Sequence, residues 1–212
     1  MRVSILIPYR GDGAQRDRLW DYCRNLWSKL PHELVVGTPD DGPFNAAQAF
    51  NRAAEQAPGD IYVLYGADQI PDPDRIDWAT HQLTKHKWCA LYSHTAGISA
   101  ADTEAILGGS SVDNFGPTQL APFCTAIIAI RSDSWVRMDE RFHGWGGEDT
   151  AWRMALEGLY GPTPEPDGTL RCLYHEPASR EHTDHNFGLI GEYMAAQEAG
   201  LLPKYIKALG LI

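Results

Sequence analysis

Two adjacent carboxylates, Glu148 and Asp149, are the residues of this chain best placed by sequence for acid–base chemistry. They end the run Gly144-Trp145-Gly146-Gly147-Glu148-Asp149. Glycines allow a tight turn that brings backbone close to a ligand, and a carboxylate after such a turn can accept a proton from that ligand. Acidic residues also suit the first turn of any helix. The run alone therefore leaves both a catalytic site and an ordinary helix start open.

Two further segments contain residues that could hold a metal ion. Asp68 follows the apolar run 61–65, and ligand sites in open α/β sheets collect at the ends of such strands. His175 follows a second short apolar run, and an imidazole together with carboxylate and phosphate oxygens suits Mn²⁺ better than Mg²⁺. His182 is a rival ligand. A turn aspartate and a surface histidine are the ordinary alternatives for these positions.

The elements that must position these residues alternate between strand and helix in the first half of the chain. Hydrophobic periodicity predicts strands at 3–7, 33–36, 61–65 and 88–92, and helices at 17–30, 46–56 and 73–84. This order predicts an α/β fold with a mainly parallel central sheet flanked by helices.

The second half of the chain has fewer regular patterns. It contains predicted strands at 125–130 and 170–174, a helix at 148–157 that Gly158 ends, and a helical segment from 186 onward. The stretch 96–122 shows little periodicity. A long irregular stretch inside a compact domain is typical of a functional loop or of disorder, and we interpret this one as a functional loop.

Together with the N-terminal strand, these three segments resemble the GT-A glycosyltransferases, especially the branch with a galactosyltransferase-type C-terminal Trp-Gly-Gly-Glu-Asp motif, as in glycosyltransferase family 2 and the β-1,4-galactosyltransferases. The resemblance covers nearly the whole chain and follows the family's order. It rests on four segments: Val3-Ser4-Ile5-Leu6-Ile7-Pro8-Tyr9-Arg10, Leu64-Tyr65-Gly66-Ala67-Asp68-Gln69-Ile70-Pro71, Trp145-Gly146-Gly147-Glu148-Asp149 and Leu173-Tyr174-His175-Glu176-Pro177.

The resemblance implies a Rossmann-like GT-A fold in a single domain of residues 1–212. Residues 1–95 would form the nucleotide-sugar half and residues 96–212 the acceptor half, with 96–122 as an acceptor-side loop. The implied activity is a metal-dependent inverting glycosyltransferase that transfers a hexose from a UDP-sugar to an acceptor hydroxyl. The hexose and the acceptor, which could be a glycan, a small molecule or another hydroxyl compound, stay open.

The resemblance also assigns residues to this reaction. Asp149 would be the catalytic base and Glu148 would hold the acceptor hydroxyls, with Trp145, Gly146 and Gly147 as further acceptor contacts. Asp68 and His175 would hold Mn²⁺ or Mg²⁺. The predicted donor contacts are Pro8, Tyr9, Arg10, Asp40, Asp41, Asn51 and Asp68. One position departs from the family, because Gly66 replaces the first aspartate of the Asp-x-Asp metal element.

Composition excludes some classes of partner. The net charge of −10 argues against general electrostatic binding of nucleic acid, so a nucleic-acid acceptor is not favoured. We interpret the arginines near the N-terminus as exposed helix surface, with Arg10 as the exception. The sequence has no apolar window of about 20 residues, and its four cysteines form no Cys-x-x-Cys pair. We therefore expect no membrane span and a cytoplasmic protein.

Two other functions remain open at this point. The first is a nucleotide-sugar or carbohydrate-binding protein that has lost catalysis, which the missing aspartate at position 66 favours. The second is a nucleotidyltransferase, which also combines a nucleotide-binding α/β sheet with a carboxylate-bound metal. That class needs a basic phosphate-binding loop near the N-terminus, and Gly11-Asp12-Gly13 is a poor version of one.

Overall fold

The structure is a computed structural model and describes residues 1–122, 127–144, 146–164, 166–176 and 179–212. These residues contain eight strands and seven α-helices. The strands are β1 (Val3–Pro8), β2 (Glu33–Gly37), β3 (Ile61–Leu64), β4 (Trp88–Ala90), β5 (His94–Gly97), β6 (Gln119–Pro122), β7 (Ile128–Arg131) and β8 (Thr169–Cys172). The helices are α1 (Gln15–Trp27), α2 (Ala46–Gln56), α3 (Pro73–Gln82), α4 (Ala100–Leu107), α5 (Glu148–Tyr160), α6 (Thr183–Glu198) and α7 (Leu202–Ala208).

Five of the described strands form the central sheet, in the order β2-β1-β3-β7-β4. β1 pairs in parallel with β2 and β3, whereas β7 pairs antiparallel with β3 and β4. β7 therefore runs against the other four strands, which all point the same way. The prediction of an α/β fold with a mainly parallel sheet is confirmed, and the one reversed strand makes the sheet mixed.

Helices cover both faces of this sheet. Ile5 and Ile7 of β1 lie in one core cluster with apolar residues of α1 and α3, and Leu6 lies in the other with residues of α2, α5, α6 and α7. Successive side chains of a strand point to opposite faces, so β1 contributes to both clusters. A strand buried on both faces reads as a continuous apolar run, which is what made β1 visible in the sequence.

The stretch 96–122 is more ordered than we predicted. It contains α4, the last residues of β5, and β6, and the Ser99 hydroxyl caps α4 by accepting a hydrogen bond from the backbone N–H of Asp102. β5 pairs antiparallel with β6 and in parallel with β8, which gives a second sheet in the order β6-β5-β8. These elements have four to eight residues, so no window is long enough to show a clear period.

The end of α5 also differs from the prediction. The helix passes through Gly158 and ends before Gly161, whose φ of +81° is in the left-handed region. Gly158 has a packing role instead, because a Cβ there would lie 2.8 Å from Cδ2 of Leu202 in α7. β7 begins at Ile128, and the predicted strand residues 125 and 126 lie outside the described residues. None of the described helices is long and apolar enough to span a membrane.

Candidate active site

The glycine turn before α5 places Glu148 and Asp149 in the wall of a cavity of about 720 Å³. Gly146 and Gly147 have φ values of +92° and +101°, a backbone conformation that favours glycine. A Cβ at Gly147 would also lie 3.0 Å from Cδ1 of Ile190. The two carboxylates occupy the first turn of α5, and both glycines line the same cavity. The predicted acceptor residues that the structure describes are therefore brought together.

Asn186 of α6 holds this turn in place. Its side-chain amide donates to the carbonyl oxygens of His143 (2.9 Å) and Gly146 (2.8 Å), and its Oδ1 accepts from the backbone N–H of His143 (3.3 Å). The residue is 2% exposed, so these hydrogen bonds are shielded from water. The sequence shows only an asparagine inside a helical pattern, and nothing there points to a partner about 40 residues earlier.

The carboxylate pair has unusual electrostatics. Burial, and secondly the neighbouring charge of Asp149, raise the pKa of Glu148 to about 7. Asp149 accepts a hydrogen bond at Oδ1 from the backbone N–H of Thr150 (2.7 Å). A carboxyl group with a pKa near the working pH can exchange a proton efficiently. Glu148 therefore competes with Asp149 for the role of the base.

A second cavity, of about 140 Å³, brings together most of the predicted donor residues. It lies where β1 and β3 end, since parallel strands present their carboxyl ends at one edge of a sheet. The predicted residues that line it are Pro8, Tyr9, Arg10, Asp68 and His175.

Asp68 and His175 approach each other in this smaller cavity. Nε2 of His175 lies 3.8 Å from Oδ2 of Asp68, and Nδ1 of His175 lies 2.7 Å from the carbonyl oxygen of Glu176. The carbonyl oxygen can only accept a hydrogen bond, so Nδ1–H is its donor, and Nε2 is the ring nitrogen that faces Asp68 and could bind a cation. His182 lines the larger cavity but not this one. The geometry therefore favours His175 over His182 as the partner of Asp68.

This pair is suited to a divalent cation. Burial is the largest effect on the pKa of Asp68 and raises it, while the charge of His175 acts in the opposite direction. A cation would compensate the buried carboxylate charge, and a carboxylate oxygen with an imidazole nitrogen fits Mn²⁺. Among the described residues, no group of three His, Cys, Asp or Glu side chains could hold a metal ion. Two protein ligands would leave the other coordination positions of such a cation to a ligand or to water.

A side chain at Gly66, where the family pattern expects an aspartate, would be packed tightly against two neighbouring side chains. A Cβ at this position would lie 3.0 Å from Oδ1 of Asp68 and 3.0 Å from Cδ of Gln69. Oε1 of Gln69 accepts a hydrogen bond from the backbone N–H of Gly66 at 2.5 Å. A side chain at position 66 would require the side chains of Asp68 and Gln69 to shift by a few tenths of an ångström.

Arg10 and the loop after β2 form a unit beside the smaller cavity. The Arg10 guanidinium donates to the carbonyl oxygens of Asp40 (2.8 Å) and Gly42 (2.7 Å), which fixes the path of this loop. The Asp40 carboxylate pairs with Arg52 at 2.7 Å. Asp40 and Asp41 are exposed, and in the described part of the chain neither lines a cavity.

Asn51 has a structural role and makes no contact with either cavity. It is 1% exposed, and its amide donates to the carbonyl oxygen of Met138 (2.9 Å) and to Glu140 (2.8 Å). Its Oδ1 accepts from the backbone N–H of Met138 at 2.8 Å. These contacts tie α2 to the segment before the glycine turn, and the predicted donor contact of Asn51 stays a prediction without support from either cavity. The position of Asn51 in a predicted helix does not indicate which distant groups its side-chain amide contacts.

Two other predictions have different outcomes. Trp145, the predicted acceptor contact, lies outside the described residues. The segment 96–122, interpreted as an acceptor-side loop, contributes no residue to either cavity among the described positions. Its helix α4 packs instead on α1, where Glu104 pairs with Arg18 at 2.7 Å.

The two cavities adjoin. Arg16, Phe44 and His175 line both of them, so the site of the predicted donor residues continues into the site of the carboxylate pair. Arg16 is a residue that the sequence analysis missed, since we grouped it with the exposed arginines of the first helix. The arrangement could hold an anionic ligand against Asp68 and His175 and present its far end to Glu148 and Asp149.

Comparisons with known proteins find distant relatives of this chain. No protein-family model matches the chain. It is 25% identical over 187 residues to human Beta-1,4-galactosyltransferase 5, covering 82% of this chain and 43% of that protein. The same enzyme from pig is 26% identical over 188 residues, with the same coverage. The chain thus spans less than half the length of these curated relatives.

One solved structure matches the fold with a TM-score of 0.50. It is S. aureus TarS 1–349 in complex with UDP-GlcNAc, at 12% identity over 83% of this chain and 59% of that one. At this identity the likeness concerns the fold only. The described chain, with its mixed sheet flanked by helices, has an α/β fold of the GT-A glycosyltransferase type.

Proposed function

We propose that this protein is a glycosyltransferase that transfers a hexose from a UDP-sugar to an acceptor hydroxyl with the help of a divalent cation. The observation that carries the proposal is the junction of the two cavities. One cavity contains Asp68 and His175, the other contains Glu148 and Asp149, and Arg16, Phe44 and His175 line both. A donor that spans the junction would have its diphosphate on one side and its sugar on the other.

The smaller cavity suits the donor. Pro8, Tyr9 and Arg10 follow β1, and an aromatic ring and a guanidinium there could contact a nucleoside and its phosphates. Asp68 and His175 would hold Mn²⁺ or Mg²⁺, which supplies positive charge against the diphosphate. Similarity to Beta-1,4-galactosyltransferase 5 supports a hexose as the transferred group.

The larger cavity suits the acceptor. In our mechanism, Asp149 removes the proton from the acceptor hydroxyl while that oxygen attacks the anomeric carbon, and Glu148 accepts hydrogen bonds from neighbouring hydroxyls. A single direct displacement inverts the configuration at that carbon. The raised pKa of Glu148 is the reason to test the exchanged roles as well. Trp145 remains a predicted acceptor contact.

The division into a donor half (1–95) and an acceptor half (96–212) is part of the proposal. Its boundary does not separate the two cavities, because His175 lines the smaller one and Arg16 and Phe44 line the larger one. Each half therefore completes the cavity of the other. The cytoplasmic location also remains a prediction.

Donor binding is the direct test. We expect calorimetry to show that UDP binds more tightly in Mn²⁺ than in EDTA. Asp68→Asn and His175→Ala should each weaken the Mn²⁺-dependent part at least about tenfold, because they remove the proposed ligands of the cation that supplies positive charge against the diphosphate. Asp77→Asn, an exposed carboxylate of α3, is the matched control. Equal UDP affinity in EDTA and in Mn²⁺ would show that the assignment of Asp68 and His175 as metal ligands is wrong.

A binding protein without catalysis is the second candidate, and the packing around Gly66 favours it. The first aspartate of the metal element is absent, and a side chain at its position would be tight against Asp68 and Gln69. Release of UDP from UDP-sugars in Mn²⁺, with and without candidate acceptors, separates the two functions. Tight donor binding with no UDP release under any condition would favour the binding protein.

A further inference from the structure

We propose, on the basis of the function proposed above, that Arg16 binds the diphosphate of the nucleotide donor and positions the leaving group during transfer. Arg16 is the second residue of α1 and lines both cavities. It is thus a positively charged side chain at the junction between the donor and acceptor sides.

The guanidinium of Arg16 is available for a ligand. In the described part of the chain no hydrogen bond or ion pair joins it to another residue, although its charge acts on the carboxyl groups of Asp12 and Asp68. The backbone N–H of Arg16 donates separately to Asp12 (3.3 Å). Arg10, the other arginine at the smaller cavity, already donates to two carbonyl oxygens of the loop after β2. Among the described residues, the Arg16 guanidinium therefore has more N–H groups available to hydrogen-bond a ligand than that of Arg10.

The start of α1 is fixed against the segment that carries His175. The side chain of Gln15 donates to the carbonyl oxygen of Tyr174 (3.4 Å) and accepts from the backbone N–H of Glu176 (3.0 Å). These contacts hold the residues on both sides of His175. Because Arg16 follows Gln15 directly, its backbone is held in a constant position relative to His175.

A diphosphate is the anion that fits this position. In a nucleotide sugar it lies between the nucleoside and the sugar, so a donor whose sugar reaches Glu148 and Asp149 must place its phosphates near the junction. Asp68, Glu148 and Asp149 all contribute negative charge around this path. A guanidinium offers paired N–H donors that match two phosphate oxygens, which compensates the ligand's charge and fixes its orientation.

The same contact would assist the displacement. A bond forms between the acceptor oxygen and the anomeric carbon, and the bond from that carbon to the β-phosphate oxygen breaks. The electron pair stays on the phosphate oxygen, and the acceptor proton goes to the catalytic carboxylate. Negative charge thus grows on the leaving diphosphate, where Arg16 would stabilise it.

Arg18 provides a matched control from the same helix. Its guanidinium pairs with Glu104 of α4 at 2.7 Å, and Arg18 lines neither cavity in the described part of the chain. Arg18→Gln removes an arginine charge two residues away without touching the site. An exposed ion pair of this kind contributes little to stability, so the variant should fold.

The experiment is calorimetry of uridine, UMP and UDP with the wild type, Arg16→Gln, Arg16→Lys and Arg18→Gln, each in Mn²⁺ and in EDTA. We expect Arg16→Gln to weaken UDP binding by about 10- to 100-fold and uridine binding hardly at all, because it removes charge-assisted hydrogen bonds to phosphate. Arg16→Lys should recover part of the loss, and Arg18→Gln should match the wild type. The EDTA series measures the contribution of Arg16 without a cation.

The outcomes separate this inference from the proposed function. If the wild type binds UDP and Arg16→Gln binds it equally well, the assignment of Arg16 is wrong while the proposed function stands. Equal losses for uridine and UDP would also overturn it, since Arg16 would then act on the nucleoside or on folding. If Arg16→Gln leaves the UDP affinity unchanged and raises the KM for an anionic acceptor, Arg16 binds the acceptor and not the diphosphate, and the inference is wrong. Failure of the wild type to bind UDP in Mn²⁺ would overturn the proposed function itself.

Discussion

Glu148 is a residue whose burial should cost stability at neutral pH. Its pKa in the folded protein is raised from 4.5 to about 7, chiefly by burial. Between these two values the folded state keeps the proton and the unfolded state releases it. Folding stability from this group therefore falls as the pH rises through the window and is lowest above the folded pKa. Such a cost is common for carboxylates held for function.

Glu148→Gln should therefore stabilise the protein more at pH 8 than at pH 5. Glutamine keeps the shape and cannot ionise, so it removes the cost that exists only when Glu148 is charged. We expect a gain of the order of 1 kcal/mol at pH 8, measured by denaturant unfolding, and a smaller gain at pH 5. Glu198→Gln, at an exposed position of α6, is the control. An equal gain at both pH values would contradict the electrostatic explanation.

Asp149→Asn tests the assignment of the base. Asparagine has the same shape but cannot accept the acceptor proton, and general-base catalysis contributes about 10²–10⁴-fold to the rate. We expect kcat to fall by that factor while the Kd for UDP stays unchanged, because Asp149 lines only the larger of the two cavities.

Glu148→Gln is the paired variant in the same assay and should act mainly through the acceptor KM. If Asp149→Asn keeps a near-normal kcat while Glu148→Gln abolishes it, the two roles are exchanged. An NMR analysis of the product anomer checks the displacement separately, since retention of configuration would rule out a single direct step.

At the scale of elements, α6 is what gives the glycine turn its shape. The turn has left-handed glycines, and the Asn186 amide donates to the carbonyl oxygens of His143 and Gly146. A second network, in which Arg141 pairs with Asp139 at 2.7 Å and with Glu192 of α6 at 2.9 Å, fixes the segment just before the turn. Contacts from α6 therefore position the start of α5.

Asn186→Ala should lower both stability and turnover. The substitution leaves buried backbone groups of the turn unpaired, which costs about 1–3 kcal/mol. We expect a lower kcat with an unchanged Kd for UDP, because Asn186 lines only the larger cavity. Gln197→Ala, on the exposed side of α6, should leave both properties intact. A stability loss with an unchanged kcat would show that the exact form of the turn is not needed for catalysis.

At the scale of the whole molecule, the sheet decides where the ligand can lie. β1 and β3 run in parallel and end at the same edge, so Pro8, Tyr9 and Asp68 meet there although about 60 residues separate them in the chain. The protein has a net charge of −10, which repels an anionic donor overall. In the proposed function, local positive charge from Arg16, Arg10 and a cation at Asp68 and His175 would provide the attraction.

Local patterns were enough to predict much of this protein. The apolar run of β1 predicts that strand, and the apolar periodicity of α2 predicts that helix. Both signals are local, because backbone preference and one-sided burial act over a few residues. The glycine turn and its two carboxylates were visible for the same reason. The strand-to-helix alternation then determined the fold class.

Only the tertiary structure decided which side chains meet. Asn51 and Asn186 are both helix asparagines. Asn51 joins α2 to the chain near Met138, whereas Asn186 holds the glycine turn. Arg16 and Arg18 are two positions apart, and only Arg16 lines the cavities. These differences depend on what packs against each helix from distant parts of the chain. A local sequence window contains no information about those partners, because their contacts form only when the sheet and helices assemble.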